Sequence, residues 1–207
     1  MKTTYRGKEM KTTYMVCNEN PKKNKKEEKS GDISVSNNHI YFYSDITTES
    51  ILDLRKEIDA VSLEQKTLKL SYPKHEPIIY LHINSGGGYL IDGLNAMDMI
   101  MNNDVPIETI VEGMSASAST LLSIAGKYRK IQKNSFILIH QISSFMWGKQ
   151  SELEDEVENI KLYESKILDF YEKHSNLKKK ELKEIMKNEK FIDSTEALRC
   201  GFVDEII

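Results

Sequence analysis

The run Ile78-Ile79-Tyr80-Leu81-His82-Ile83 passes directly into Asn84-Ser85-Gly86-Gly87-Gly88, and from there into residues 89–103, where Leu94, Met97 and Met101 recur at helical spacing. A buried strand handed to a helix by a glycine turn belongs to an α/β layered fold. The same alternation continues downstream. Pro106 opens a strand over Ile107–Val111, and Ser117–Ala125 reads as a helix of small and apolar residues. Phe136–Ile139 reads as another strand. Residues 150–174 form a long helix whose apolar stripe is Leu153, Val157, Ile160, Tyr163, Ile167 and Tyr171. A charged helix follows over 178–187. Asp193 caps a last short helix that Gly201 ends, and Phe202–Ile207 is a final strand.

Upstream, Ile40-Tyr41-Phe42-Tyr43 reads as a strand, and Ile51, Leu54, Ile58 and Val61 mark a helix. Residues 65–76 are lysine-rich and contain Pro73, which predicts a loop. Residues 1–32 are polar and aperiodic, with the charge run Lys22-Lys23-Asn24-Lys25-Lys26-Glu27-Glu28-Lys29. They are expected to be a flexible segment ahead of one folded domain over residues 33–207. A chain of 207 residues is long enough to bury a sizeable core.

Composition narrows the function. The net charge of −3 gives no field that would gather nucleic acid or an anionic membrane. Cys17 and Cys200 stand far apart without C-x-x-C spacing, so neither a disulfide framework nor a zinc site is expected. Two such cysteines suit a reducing cytoplasm. There is no apolar run of membrane-spanning length and no signal-peptide pattern. No metal or cofactor is called for.

Three segments carry chemistry when taken together. The glycines at 86–88 allow backbone N–H groups to approach a ligand closely. No Gly-Lys-Ser/Thr follows them, so they are not a P-loop. Ser117 falls where a strand turns into a small-residue helix. His140 leaves the strand Phe136–Ile139. Backbone donors, a serine and a histidine are the parts of acyl transfer to serine. Gly113-Met114-Ser115-Ala116-Ser117 imitates a nucleophile elbow centred on Ser115, but Ser117 stands where that motif has its second glycine. His82 is mid-strand and reads as structural, whereas His39, His75 and His174 lie in polar contexts and read as solvated.

With these residues assembled, the chain resembles the proteolytic subunit of the Clp protease, the ClpP family of serine peptidases. The resemblance runs through four ordered motifs: Asn84 to Gly88; Gly113, Ala116 and Ser117; Asn134, Ser135, Ile139, His140 and Gln141; and Glu196, Ala197, Gly201, Val203 and Asp204. It covers about residues 38–207. It implies a ClpP/crotonase-like layered fold of repeated strand-strand-helix units with a protruding long helix. It implies Ser117 as nucleophile, His140 as general base, and the N–H groups of Gly88 and Ala118 as the oxyanion hole. The third triad member is expected at Glu189, where the family carries aspartate, with Asp193 as the nearby alternative. The implied partners are copies of itself in stacked seven-membered rings, an AAA+ unfoldase, and unfolded polypeptide as substrate.

The chain also departs from that family. Gly86 replaces the loop's usual proline, residues 65–76 have no evident counterpart, and the run Ile142–Gly148 is bulkier than the family's glycine-rich ring-contact strand. The glutamate at 189 and the altered ring-contact strand leave open a catalytically weak or inactive ring subunit. An acyl-CoA enzyme on the crotonase-like fold is the remaining alternative.

Overall fold

The computed structural model describes residues 33–145 and 147–207. The N-terminal segment 1–32, its charge run and Cys17 lie outside the described residues. A hairpin opens the fold. Strands β1 (Ile33–Ser36) and β2 (His39–Phe42) pair antiparallel around Asn37, whose φ of 56° suits a two-residue turn. Strand β2 lies parallel to β3 (Ile79–Ser85), which lies parallel to β4 (Ile107–Ala116).

Strand β4 is ten residues long and serves two partners. Its first half pairs in parallel with β5 (Tyr128–Ile131), which pairs with β8 (Glu205–Ile206). Its last three residues pair in parallel with β6 (Phe136–Leu138), and β6 pairs antiparallel with β7 (Ile192–Asp193). The sheet therefore forks along β4.

Helices α1 (Thr48–Ser71), α2 (Leu90–Met101) and α3 (Ser119–Ile124) cover one face. Alternation places Ile40 and Phe42 of β2, and Ile79, Leu81 and Ile83 of β3, beneath them in the core. Of the expected loop at 65–76, residues 65–71 are instead the last two turns of α1, and 72–76 are irregular. Leucine, lysine, glutamine and glutamate are good helix formers. Gln65 is buried on the inner face, and the helix stops at Ser71 because Pro73 cannot continue it. At its other end Thr47 and Ser50 exchange side-chain-to-backbone hydrogen bonds of 3.1 and 3.0 Å.

Beyond the sheet, α4 (Gln150–Lys173) is apolar throughout its predicted stripe but buries only its C-terminal part, at Ile167, Leu168, Phe170 and Tyr171. Leu153, Val157 and Leu162 stay exposed on the half that projects away. Helices α5 (Lys179–Asn188) and α6 (Ser194–Cys200) return the chain to β8. Arg129 on β5 ties these ends together. It donates to the carbonyls of His174 and Gly201 at 2.6 and 2.9 Å and grips Asp204 with Nε and Nη2. The final strand is shorter than expected because Phe202 and Val203 turn into the core rather than pair.

The sheet face opposite the helices carries a polar aromatic layer, and the readings of three histidines change. His82 is buried on that face, as a structural histidine should be, with Nδ1 2.9 Å from Glu112 Oε1. His39 is not solvated: its Nδ1 lies 2.8 Å from His82 Nε2, and its ring stacks on Tyr80. Tyr43 OH and Gln132 Nε2 also donate to Glu112. His75 is half-buried against Gln65 at 2.8 Å. His174 packs on Phe170 and leaves Nε2 buried without a partner among the described residues. Local context missed His39 because its partner His82 lies on another strand, far away in sequence. No helix of the described residues is long and apolar enough to cross a membrane.

Burial, with His82 beside it, holds His39 below the ordinary histidine value of 6.5. Burial, with Lys173 and Arg129, does the same to His174. Unfolding releases both, so below about pH 6.5 the unfolded chain binds more protons than the folded one. This part of the stability is fully present above that pH and is lost as pH falls through the depressed folded values. The urea midpoint is expected to be lower at about pH 5.5 than at about pH 7.5, with His174→Phe narrowing the gap. Equal wild-type midpoints at the two pH values contradict this.

Candidate active site

Three chain segments meet at the carboxyl ends of adjacent parallel strands, the edge where open α/β sheets place their ligands. The first is the glycine loop after β3. Gly87 and Gly88 have φ of 99° and 149°, conformations that L side chains rarely adopt. A Cβ on Gly87 would lie 2.6 Å from both Ala116 O and Ser117 Cβ, and a Cβ on Gly88 would strike the Ile46 carbonyl. The loop is pinned in this position by Ile46, which donates to Gly87 O at 2.7 Å and accepts from Tyr89 N at 2.9 Å.

The second segment is the turn after β4. Contrary to the expected helix over Ser117–Ala125, α3 begins two residues later, and Ser117 occupies a left-handed turn with φ of 56°. That conformation costs a non-glycine residue about 1 kcal/mol. Its N–H donates to Leu138 O on β6 at 2.8 Å, which presses the turn against the third segment. Ser115, the centre of the imitation elbow, is fully buried. Its hydroxyl contacts Ser119 and Ser123 at 3.1 Å each, so it is committed to packing α3 on β4.

The third segment is the exit of β6. The β4–β6 register places Leu138 beside Ala116, so Ser117 and His140 leave the sheet at the same level. A cleft of about 220 Å³ is lined by Gly88, Ser117, Ala118 and His140 together with Leu121, Ile142, Ile167 and Tyr171. Neither the Gly88 nor the Ala118 N–H has a hydrogen-bond acceptor among the described residues, whereas the N–H groups of Gly87 and Ser117 are both used. Two free backbone donors thus share a cleft with a hydroxyl and an imidazole. Tyr89, Leu90, Ile142 and Ser143 extend it into a shallower groove that reaches Ile160 and Tyr163 on α4.

Glu189 is not among the residues lining the cleft. It is exposed at the C-terminus of α5 with φ of 48°. Strand β7, which pairs with β6 through Ile137 and Ile192, begins three residues after Glu189. Asp193 accepts the Glu196 N–H at 2.8 Å as the N-cap of α6. Among the described residues the non-glycine positions with positive φ are Asn37, Ser117 and Glu189. The first is a hairpin turn; the other two are expected site residues. No side-chain hydrogen bond joins Ser117, His140 and Glu189 among the described residues. The sequence motifs did not single out Thr120, Leu121 or Ile142; the α4 stripe did include Ile167 and Tyr171, without saying that they reach the cleft.

Comparison with known proteins bears on the family and the fold. The Clp protease family matches residues 34–207. The chain is 31% identical over 150 residues to an ATP-dependent Clp protease proteolytic subunit of Deinococcus radiodurans, covering 72% of this chain and 74% of that one. Its fold superposes with a TM-score of 0.71 on a ClpP1 mutant from Listeria monocytogenes, at 21% identity and over 83% of this chain and 91% of that one. The fold is the α/β layered fold of ClpP, with the protruding helix α4. With residues 34–207 matching its model, the chain belongs to the Clp protease family.

Proposed function

We propose that the chain is a serine endopeptidase, the proteolytic subunit of an ATP-dependent Clp-type protease acting on unfolded polypeptides in the cytoplasm. The observation that carries this reading is the single cleft shared by Ser117, His140 and the unpartnered N–H groups of Gly88 and Ala118. In the proposed reaction His140 takes the Ser117 hydroxyl proton as Oγ attacks the scissile carbonyl. The oxyanion accepts from Gly88 and Ala118. His140 then passes the proton to the leaving amine, and water, activated by the same imidazole, hydrolyses the acyl-enzyme. Glu189 orients and charge-stabilises the imidazole. The chemistry needs no metal or cofactor.

Self-association in stacked seven-membered rings, with an AAA+ unfoldase feeding them, completes the proposal. Its physical support is the exposed apolar surface before and along α4: Phe145 and Trp147 are 95% and 93% exposed, with Leu153, Val157 and Leu162 following. Light scattering is expected to give a ring-sized assembly, and a clean monomer contradicts it. A second reading, a ring subunit with a structural role, is favoured by one observation, the absence of hydrogen bonds joining Ser117, His140 and Glu189 among the described residues. Such bonds are often long before substrate binds.

A fluorophosphonate probe is expected to label the wild type and not Ser117→Ala; labelling that survives the substitution excludes Ser117, and a wild type that neither labels nor cleaves casein selects the structural subunit. Gly88→Ala, by driving the loop off Ile46, is expected to lower kcat about 10²- to 10³-fold, the worth of a lost oxyanion donor. An unchanged kcat would remove Gly88 from the site. Glu189→Gln is expected to cost about 10⁴ in kcat. Asp193→Ala is expected to spare kcat and remove about 1 kcal/mol of stability as a lost helix cap. The reverse pattern would make Asp193 the third member.

A further inference from the structure

Ser117 holds a backbone conformation that serine seldom adopts, and its carbonyl group reveals what secures it. The Thr120 N–H donates to Ser117 O at 3.1 Å, and Thr120 Oγ1 donates to the same oxygen at 2.6 Å. That commits the threonine's only hydroxyl proton. The 2.6 Å contact between Thr120 Oγ1 and Tyr171 OH therefore has the phenol as donor. Tyr171 comes from the buried part of α4 and is 3% exposed. Burial pushes its hydroxyl up to about 12, so the proton is present throughout the neutral range. The direction of the chain is fixed: Tyr171 to Thr120 to the Ser117 carbonyl.

The other hydroxyls around α3 are used differently. Ser119 reaches the carbonyls of Ser85 and Ala116, and Ser123 turns back on Thr120 O. These bonds fasten α3 to itself and to β3 and β4. Among the described residues Thr120 alone of the α3 hydroxyls reaches α4. Its partner Tyr171 and its target Ser117 line the same cleft.

We propose that Thr120 and Tyr171 are positioning residues for the Ser117 hydroxyl, holding its left-handed turn so that Oγ faces His140 with the Gly88 and Ala118 N–H groups on the oxyanion side. This deepens the peptidase reading and rests on it. Nucleophile placement governs the step in which the bond to the carbonyl forms, not the affinity for the peptide. The pair therefore acts on kcat and leaves KM nearly untouched.

The test uses the full chain and four variants. Thr120→Val removes the hydroxyl and keeps the side chain's shape; Thr120→Ser restores the hydroxyl. Tyr171→Phe keeps the ring's packing and removes the donor. Ser194→Ala deletes a 2.8 Å hydrogen bond to Lys133 O outside the cleft and serves as a destabilised control. The readouts are kcat and KM on a short peptide, the rate of Ser117 phosphonylation by a fluorophosphonate, and the thermal midpoint. Thr120→Val is expected to slow kcat and phosphonylation about tenfold with KM within about twofold, and Thr120→Ser to recover most of the rate. Tyr171→Phe is expected to slow both about threefold, which tests the chain without altering Thr120. Ser194→Ala is expected to lower the midpoint and leave both rates alone. Wild-type rates in Thr120→Val or in Tyr171→Phe, or a Thr120→Ser as slow as Thr120→Val, overturn the proposal while the peptidase reading stands. A wild type that neither labels nor cleaves overturns both.

Discussion

The backbone after β3 runs so close to the turn after β4 that nothing larger than hydrogen fits between them. At Gly87 the obstacle is Ala116 O and Ser117 Cβ; at Gly88 it is the Ile46 carbonyl. This approach fixes where the free N–H groups point, and it is what makes a cleft of the space beside Ser117. Gly86 is looser, with the Met114 side chain 3.9 Å from where a Cβ would sit. The position where the family carries proline is therefore spacious, and glycine there leaves the two constrained positions intact.

The fork in the sheet supplies the second half of the arrangement. Because β4 exchanges β5 for β6 along its length, its end is in register with a short strand that leads straight to His140. The Ser117 N–H is bonded to Leu138 O two residues before that histidine. Strand β6 then pairs with β7, which begins three residues after Glu189. Glutamate in a left-handed helix-terminal position is unusual, since glycine and asparagine are favoured there. Backbone strain at Ser117 and Glu189, and not elsewhere outside a hairpin among the described residues, sets these two positions apart from packing residues.

Legibility in the sequence followed the range of each interaction. The β3–glycine–α2 unit, Ser117 and His140 were readable because each is set by a short contiguous pattern. The last turns of α1 were not: their outward residues are polar or isolated leucines, so periodicity fades, and Pro73 looked like a loop marker rather than a stop. Strands β1, β5 and β7 are short and half exposed, too weak a signal to be seen without their partners. The pairing of His39 with His82 and of Thr120 with Tyr171 depends on tertiary register, and no local spacing encodes it. Glu189 was reached only through the family motif, because no local spacing ties it to His140.

The central claim is that Ser117 and His140 act as one unit, and a double-mutant cycle on peptide hydrolysis tests it most directly. Ser117→Ala, His140→Ala and the double variant should fall to the same residual rate, because a nucleophile without its base and a base without its nucleophile are equally inert. If instead the two single losses multiply in the double variant, the residues act independently and the shared mechanism is wrong.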